Sequence, residues 1–250
     1  MTSAGHGAGA VEQSSVRMWL AHGWSLSLAP LMLAQALYVK RTIPRLPEPE
    51  GKRTGAVGQG RALRLLITGD SAAAGVGVAY QTQALAGQLS GRLAADFELH
   101  WSLEALTGRT TVQAMAHLRQ LPPQRFDVAV ISLGVNDITA GVSARRWIER
   151  LRQLTELLAS RFQVRQVLFS PVPPMHLFPA LPQPLRAYLG ARARHFNQAL
   201  DRYVGGEPRA ALVRPALTGL STASDGFHPG ADAYEAWADA LAGHIRVAHG

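Results

Sequence analysis

Residues 126–133 read FDVAVISL, a run that is apolar almost throughout and is followed by Gly134-Val135-Asn136-Asp137. Nearly continuous apolar character over strand length is typical of a strand covered on both faces of a parallel sheet. On either side of it, apolar runs of strand length alternate with amphipathic runs of helical length. This alternation predicts an α/β fold with a parallel sheet.

The predicted sheet has five strands, and the predicted helices lie between and after them. We expect strands at Leu63–Thr68, Glu98–Leu103, Phe126–Leu133, Gln166–Ser170 and Ala211–Arg214. We expect helices at Ala79–Ala95, Thr110–Leu121 and Ala144–Phe162, from the end of a Pro-rich loop (171–184) to about Tyr203, and from Pro229 to near the end of the chain. Strands interleaved with helices in this way predict a doubly wound sandwich.

The composition excludes several classes of functional site and partner. A chain of 250 residues with 47% hydrophobic and 17% charged side chains can bury one sizeable core. The chain has no cysteine, which excludes a thiolate nucleophile or metal ligand. Of the net charge of +8, residues 1–64 hold +5, from eight basic and three acidic side chains. The remainder has no basic stripe interleaved with aromatic residues, so we expect no nucleic-acid partner.

The first sixty residues differ in composition from the rest. Residues 1–17 are mostly small and polar, which predicts a disordered tail. Residues 18–39 are largely apolar and contain no Asp, Glu, Lys or Arg. Residues 40–60 are rich in Pro, Gly and charge, which indicates a linker. A single folded domain is then expected over residues 61–250.

The apolar segment 18–39 allows three interpretations. It has the length of a bilayer span with Trp19, Trp24 and Tyr38 near its ends, as in an N-terminal membrane anchor. It also contains Ala34-Gln35-Ala36, a candidate cleavage site of a signal peptide. Third, it suits a surface helix that packs on the domain or lies flat on an anionic membrane. Membrane association is the favoured localisation, cytoplasmic and exported soluble forms are alternatives, and the sequence indicates no oligomeric state.

Polar residues follow the predicted strands where each strand ends. Gly69-Asp70-Ser71 follows the first strand, Thr107-Gly108-Arg109-Thr110 the second, Gly134–Asp137 the third, and Asp225-Gly226-Phe227-His228 the fifth. In open α/β sheets, ligands bind outside the carboxyl ends of the strands. We therefore expect a hydroxyl, two amide-type donors and an Asp/His pair to converge on one edge of the sheet.

These four segments resemble the four sequence blocks of the SGNH hydrolases, also called GDSL esterases, and occur in that family's order. The resemblance spans Gly69 to His228. It implies a flavodoxin-like three-layer α/β/α sandwich and a serine hydrolase acting on esters. By similarity, Ser71 is the nucleophile, Gly108 and Asn136 are oxyanion donors, and Asp225 and His228 complete a catalytic triad. The N-terminal residues lie outside the resemblance.

The chemistry of these residue types supports the same roles. A serine hydroxyl is a weak nucleophile at neutral pH, so it needs a base within hydrogen-bond reach and an orienting group behind that base. Asp225 and His228 are three positions apart, so the carboxylate can accept Nδ1–H and leave Nε2 for Ser71. The backbone N–H groups of Ser71 and Gly108 and the side-chain amide of Asn136 are available to hold an oxyanion.

Each segment alone has an ordinary structural explanation. Asp-Ser after a strand is commonly a helix cap, Asp225 can close an Asx-turn, and Gly108 can be a turn glycine. The prediction of catalysis therefore depends on the joint pattern of all four segments.

The Pro-rich loop, 171–184, lies beside the expected cleft. Its Met175, Leu177 and Phe178 are candidates for the wall of an acyl pocket, with a loop that merely packs on the core as the alternative. No spaced set of histidines and carboxylates predicts a metal site, and no cofactor is expected.

The sequence therefore predicts a serine ester hydrolase that cleaves short- to medium-acyl carboxylic esters through a Ser71 acyl-enzyme. Its substrate is a small-molecule, lipid or carbohydrate ester. An acyltransferase or a carbohydrate O-deacetylase would use the same site. The alternative of another class is a membrane-surface binding protein whose triad is vestigial.

Overall fold

The sheet has six strands and is parallel except at one edge. The computed structural model describes residues 28–216 and 221–250, and all statements on structure refer to them. The strands are β1 Thr54–Val57, β2 Arg61–Gly69, β3 Phe97–Ala105, β4 Val128–Ser132, β5 Gln166–Phe169 and β6 Ala210–Leu212. They lie in the order β1-β3-β2-β4-β5-β6. β1 is antiparallel to β3, and the other neighbours are parallel.

Helices cover both faces of this sheet. In chain order they are α1 Ala29–Thr42, α2 Ser71–Ala74, α3 Leu85–Leu93, α4 Thr111–Gln120, α5 Val135–Thr139, α6 Ala144–Phe162, α7 Leu185–Gly205 and α8 Ala231–His249, with a 3-10 turn at Met175–Leu177. Side chains of a strand point alternately to the two faces. In β4, Val128 and Val130 pack with α2, α3 and α8, while Ala129 and Ile131 pack with α4, α6 and α7. The predicted three-layer α/β/α sandwich is confirmed.

The strand that the sequence did not predict is β1, which lies in residues 40–60, the segment interpreted as a linker. Three of its four side chains are exposed, so it has no apolar pattern by which the sequence could identify it. Its backbone pairs with the outer edge of β3, with Gly55 opposite Trp101. The prediction of five strands is therefore one short, and the second half of the segment 40–60 is part of the sheet rather than a connection to it.

Two helices begin later than the sequence pattern predicts. The helix expected from Ala79 begins at Leu85, because Glu50 forms backbone hydrogen bonds with Ala79 and Gln81 and holds that stretch extended. The last helix begins at Ala231 rather than at Pro229, since Pro229 pairs with Thr222 in an isolated β-bridge. In both cases the competing partner lies outside the predicted helix, so the periodicity of the helix does not reveal it.

The apolar segment 18–39 is described only from residue 28 onwards. Its described part belongs to α1, which packs against α7. No helix in the described ranges is both long enough and apolar enough to span a bilayer. The tail 1–17, Trp19, Trp24 and the remainder up to residue 27 lie outside the described residues.

The five parallel strands have the doubly wound order, in which the first of them along the chain, β2, lies between the next two, β3 and β4. The chain leaves these neighbouring strands towards opposite faces, which opens a crevice beyond their carboxyl ends. That crevice is where the polar segments predicted from the sequence meet.

Candidate active site

A tight turn after β2 presents Ser71. Ser71 is the first residue of α2, so its backbone N–H has no partner within the helix. Asp70 caps this helix, its carboxylate accepting a hydrogen bond from the N–H of Ala72 at 3.2 Å. Gly69 is required because a Cβ there would lie 2.4 Å from the carbonyl oxygen of Ser132 on β4. The turn therefore fixes the serine against the centre of the sheet.

His228 and Asp225 complete a chain of hydrogen bonds with Ser71. The imidazole Nε2 lies 2.8 Å from the Ser71 hydroxyl oxygen, and Nδ1 lies 2.5 Å from the carboxylate of Asp225. The other carboxylate oxygen of Asp225 accepts the backbone N–H groups of Phe227 at 2.9 Å and of His228 at 3.0 Å. With Nδ1–H donated to Asp225, a neutral imidazole leaves Nε2 as the acceptor for the serine hydroxyl.

The electrostatics of Asp225 suit an orienting carboxylate. Burial by itself raises the pKa of this carboxyl, but the hydrogen bonds from the His228 side chain and from two backbone N–H groups outweigh it, so the pKa is lowered overall. The carboxylate therefore stays ionised at neutral pH. An ionised Asp225 can stabilise the imidazolium that forms when His228 takes the serine proton.

Hydrogen bonds connect the segments that carry the three predicted oxyanion donors, Ser71, Gly108 and Asn136. The amide nitrogen of Asn136, on α5, lies 3.3 Å from the carboxylate of Asp70 and 3.2 Å from the carbonyl oxygen of Arg109. The N–H of Leu106 donates to the carbonyl of Gly69 at 3.2 Å, which ties the Gly108 loop to the nucleophile turn. Gly108 has φ of +80°, a conformation that favours glycine.

Glu48, in the segment interpreted as a linker, holds the Gly108 loop from the other side. Its carboxylate accepts the backbone N–H of Thr107 at 2.7 Å and the Thr107 hydroxyl at 2.8 Å. Arg53 donates to the same carboxylate at 2.9 Å and also to the carbonyl of Ala105. Sequence reasoning missed these residues, because a lone acidic residue among prolines carries no pattern that connects it with Thr107.

Two buried carboxyls lie beneath the site. Asp137 accepts the backbone N–H of Thr111 at 2.9 Å, the Thr111 hydroxyl at 2.8 Å and the guanidinium of Arg150 at 3.1 Å, which fixes α5 against α4 and α6. Asp70 has no cationic partner of that kind. The pKa of Asp70 is raised to about 7, mainly by burial and in addition by the nearby Asp137, and the hydrogen bond from Ala72 opposes the rise.

A mostly apolar cavity of about 210 Å³ opens beside Ser71 and His228. Its walls come from the Pro-rich loop, from the segment around the histidine and from α8. The side chains that form these walls include Pro171, Pro173, Pro174, Leu177, Phe178, Phe227 and Trp237. The ring centroids of Phe178 and Phe227 are 4.8 Å apart, and those of Phe227 and His228 are 5.3 Å apart. The cavity therefore joins an apolar wall directly to the imidazole.

The structure places the three predicted wall residues in two different environments. Leu177 and Phe178 line the cavity, as the sequence predicts for a pocket wall. Met175 does not line it, because its side chain is fully buried in the core between the sheet, α6 and α7. The 3-10 turn that begins at Met175 turns this side chain inwards while Leu177 points away from the core. The prediction for Met175 is therefore wrong as a wall contact.

Two residues of α8 that the sequence reasoning did not single out also shape the site. The hydroxyl of Tyr234 lies 3.0 Å from the carbonyl of Ala72 and 2.8 Å from that of Val76, so it braces the nucleophile turn. The indole N–H of Trp237 donates to the hydroxyl of Ser170 at 2.8 Å at the base of the cavity. Their three-residue spacing places both on one face of the last helix, but the sequence does not show which residues they contact.

In the part of the chain that the structure describes, no three His, Asp or Glu side chains cluster as a metal site would require.

The chain was compared with protein families and with known proteins. It matches the GDSL-like Lipase/Acylhydrolase family over residues 67–236. No curated protein sequence matches it.

Solved structures share the fold at low sequence identity. An aryl esterase from M. smegmatis is 20% identical, with a TM-score of 0.58 over 74% of this chain and 99% of that chain. A carbohydrate acetylesterase from Sinorhizobium meliloti is 18% identical, with a TM-score of 0.56 over the same shares. A carbohydrate esterase family 2 enzyme with a carbohydrate binding domain, from Corynascus thermopiles (Myceliophthora fergusii), is 15% identical, with a TM-score of 0.60 over 82% of this chain and 68% of that chain.

The family match extends from β2 to α8 and includes all four polar segments that meet at the sheet edge. Because it covers more than half of the sequence, the chain belongs to the GDSL-like lipase/acylhydrolase family and is a hydrolase of ester bonds.

Proposed function

We propose that the protein is a serine hydrolase in which Ser71 forms an acyl-enzyme with His228 as general base and Asp225 as the orienting carboxylate. The observation that carries this proposal is the unbroken hydrogen-bond chain from the Ser71 hydroxyl through both nitrogens of His228 to Asp225. A serine that merely caps a helix needs no histidine. The alternative in which the triad is vestigial does not account for this alignment.

The reaction follows from that geometry. As the Ser71 oxygen attacks the carbonyl carbon of the ester, its proton passes to Nε2 of His228. The negative charge on the carbonyl oxygen is held by the N–H groups of Ser71 and Gly108 and by the amide of Asn136. The carbon–oxygen bond to the alcohol then breaks, and the alcohol leaves with the proton from His228. Water, deprotonated by the same imidazole, attacks the acyl-enzyme and releases the acid.

The cavity beside Ser71 supports short- to medium-length acyl groups as substrates. An apolar cavity of about 150 Å³ is enough to hold a benzene ring. The cavity here is somewhat larger, at about 210 Å³, and its walls are mainly proline, leucine and aromatic side chains. Acyl groups of roughly four to eight carbons fit this volume on the same scale. Hydrolysis of p-nitrophenyl esters from acetyl to palmitoyl measures this preference. We expect the highest kcat/KM for acyl groups of roughly four to eight carbons.

The mechanism is tested by reaction of the full chain with a fluorophosphonate probe, followed by intact mass and peptide mapping. We expect one adduct, on Ser71, that is lost in the variants Ser71→Ala and His228→Ala. The matched control is Ser160→Ala on α6, whose hydroxyl bonds to the carbonyl of Glu156 at 2.8 Å, and it should label like the unmodified chain. An adduct on another serine, or ester turnover that survives in Ser71→Ala, would contradict the mechanism.

A carbohydrate O-deacetylase is a second candidate for the same site. It is favoured by two of the structural neighbours, which are a carbohydrate acetylesterase and a carbohydrate esterase. Its substrate would place only an acetyl group in the cavity and leave the sugar outside. Release of acetate from acetylated xylan or from peracetylated glucose, faster than release of longer acids from matched esters, would favour this candidate. Formation of a new ester with an added alcohol would indicate an acyltransferase instead.

A further inference from the structure

We propose that α1 is a docking element that seats the catalytic domain on the surface of an anionic lipid bilayer. This inference goes beyond ester hydrolysis and does not depend on it. It concerns the helix Ala29–Thr42, which carries Lys40 and Arg41 in its last turn, and Arg45 just after it.

The first observation is that residues 29–39 of α1 are apolar except for Gln35, and that the described part of the protein covers them on one side only. From Ala29 to Val39 it has no charged side chain. Met32 and Val39 pack against the core cluster beneath α7, yet no residue of the helix is fully buried. On the other side, 63% of the surface of Leu33 and 64% of that of Tyr38 are exposed. A helix that is apolar all round normally requires apolar surroundings on every side.

The second observation is that α1 is attached to the domain at defined points. The side-chain amide of Gln35 donates to the carbonyl of Gln183 at 2.5 Å and accepts the N–H of Leu185 at 3.1 Å. These bonds join α1 to the start of α7, the helix that also packs on the 3-10 turn at Met175–Leu177. The exposed side of α1 is therefore held in a fixed orientation relative to the loop that lines the cavity.

The third observation is the positive charge at one end of α1, which indicates that an anionic bilayer binds its exposed side. Lys40, Arg41 and Arg45 are exposed, and no acidic residue occurs between residues 28 and 47. A protein partner with an apolar groove would not by itself explain a cluster of one sign at one end. An anionic bilayer explains both features, because the apolar side chains enter the boundary of the acyl chains and the cations meet the phosphate layer.

The exposed leucine of the cavity loop fits the same orientation. Leu177 lines the cavity, and 66% of its surface is exposed. It lies on the turn that α7 supports, so an apolar contact at the cavity and the apolar side of α1 are connected through one helix. Docking through α1 would bring lipid-phase esters near the cavity.

The experiment is co-sedimentation of the full chain with vesicles of phosphatidylcholine, with and without phosphatidylglycerol. We expect binding to the anionic vesicles that weakens as salt is added. The variant Leu33→Glu/Leu37→Glu removes two half-exposed leucines, and we expect its affinity to fall about thirtyfold. Lys40→Gln/Arg41→Gln should lose about fivefold per cation, and only on the anionic vesicles.

The matched control is Val247→Glu, which places the same charge on an exposed apolar residue of α8, on the opposite face of the sheet. It should bind as the unmodified chain does. Equal binding of Leu33→Glu/Leu37→Glu and the unmodified chain, or binding that resists extraction by alkaline carbonate as an integral span does, would overturn the proposal. A dimer in solution that these substitutions dissociate, without vesicle binding, would assign the face to a second copy instead.

A separate observation carries a second proposal: we infer that Glu48 is a positioning residue for the Gly108 oxyanion donor. This proposal rests on the proposed function. Thr107, immediately before Gly108, donates its N–H and its hydroxyl to one oxygen of Glu48. No packing fixes Gly108 itself, since a Cβ added there would meet no atom within 4 Å, and the other hydrogen bonds of the loop act on either side of it, at Leu106 and Arg109. The carboxylate therefore supplies much of what fixes the direction of the Gly108 N–H.

Glu48→Ala and Glu48→Gln separate positioning from general stability. The Gln carbonyl can still accept from Thr107, so we expect a kcat within about threefold of the unmodified enzyme, whereas Glu48→Ala should lose roughly tenfold or more in kcat with KM unchanged. The rate at which the fluorophosphonate labels Ser71 should fall in parallel. An equal loss in both variants would assign the effect to the ion pair with Arg53, and an unchanged rate in Glu48→Ala would overturn the proposal. Absence of any adduct in the unmodified chain would instead refute the proposed function.

Discussion

The stability of this enzyme should depend on pH through Asp70, the buried carboxyl next to the nucleophile. The pKa of Asp70 rises from 3.8 to about 7 in the folded chain, mainly because of burial and in part because of Asp137, while the hydrogen bond from the Ala72 N–H opposes the rise. In the unfolded chain the carboxyl titrates near its ordinary value. Between these two pKa values the folded state keeps a proton that the unfolded state has released, so stability falls as pH rises.

The magnitude follows from the size of the shift. One pKa unit corresponds to about 1.36 kcal/mol, so a shift of about three units costs about 4 kcal/mol of the free energy of unfolding. That cost is absent below pH 3.8, grows through the interval and is complete above about pH 7. A typical domain has only about 5–15 kcal/mol of stability, so the effect is large.

The perturbation is Asp70→Asn, and the assay is urea unfolding at a series of pH values from 4 to 8. Asn cannot ionise, but it also loses one acceptor for Asn136, which adds a constant offset of about 1 kcal/mol. The difference in unfolding free energy between variant and unmodified chain should therefore move in favour of the variant by about 4 kcal/mol over that pH range. Asp70→Ala should show a different offset and the same pH-dependent change. A difference that stays flat with pH in both variants would refute the reasoning.

Four further predictions concern the site. Asp225→Asn should lower kcat about 10³–10⁴-fold with little change in KM, because the imidazole loses its orienting carboxylate, and steady-state kinetics on a p-nitrophenyl ester measures this. Asn136→Ala should lower kcat about 10²–10³-fold on the same substrate through loss of one oxyanion donor. Leu177→Ala should shift the preferred acyl length without changing the midpoint of thermal unfolding, whereas the buried Phe178→Ala should also lower that midpoint. A chain that begins at Arg61 lacks β1 and Glu48, so it should unfold at a lower temperature and turn over more slowly than one that begins at Leu46.

Most helices and strands of the fold could be predicted from the periodicity of apolar residues and from the polar residues at the strand ends. The helix Ala144–Phe162 agrees with its prediction at both ends, because its apolar positions recur in helical register and Ser143 caps it through the N–H of Arg146. The central strands are predictable for the related reason that both of their faces are buried. β1 was not predictable, since backbone pairing with β3 rather than side-chain burial holds it in place.

In the candidate site too, some residues could be predicted from the sequence and others could not. Of the residues proposed to do chemistry, Ser71 and Asn136 come soon after β2 and β4, and the sheet brings them to one edge. His228 reaches the same edge from the segment between β6 and α8. Residues that support them come from places the local sequence does not mark. Tyr234 and Trp237 act from α8, and Glu48 acts from a segment whose prolines and charges indicate only a linker. Contacts between such distant positions depend on the assembled fold, so a single sequence gives them no pattern.

The buried carboxyls explain why the segment Gly134–Asp137 needs both of its polar residues. Asp137 is fully buried, where its hydrogen bonds from Thr111 and its ion pair with Arg150 anchor α5 to two other helices. Asn136, one position earlier, then faces Asp70 and the carbonyl of Arg109. Since the backbone of α5 is fixed by Asp137, the amide of Asn136 can hold its direction without a strong partner of its own. In the proposed mechanism, Asn136 would transfer this hydrogen bond to the oxyanion at the expense of a long contact with Asp70, 3.3 Å, rather than of a strong one.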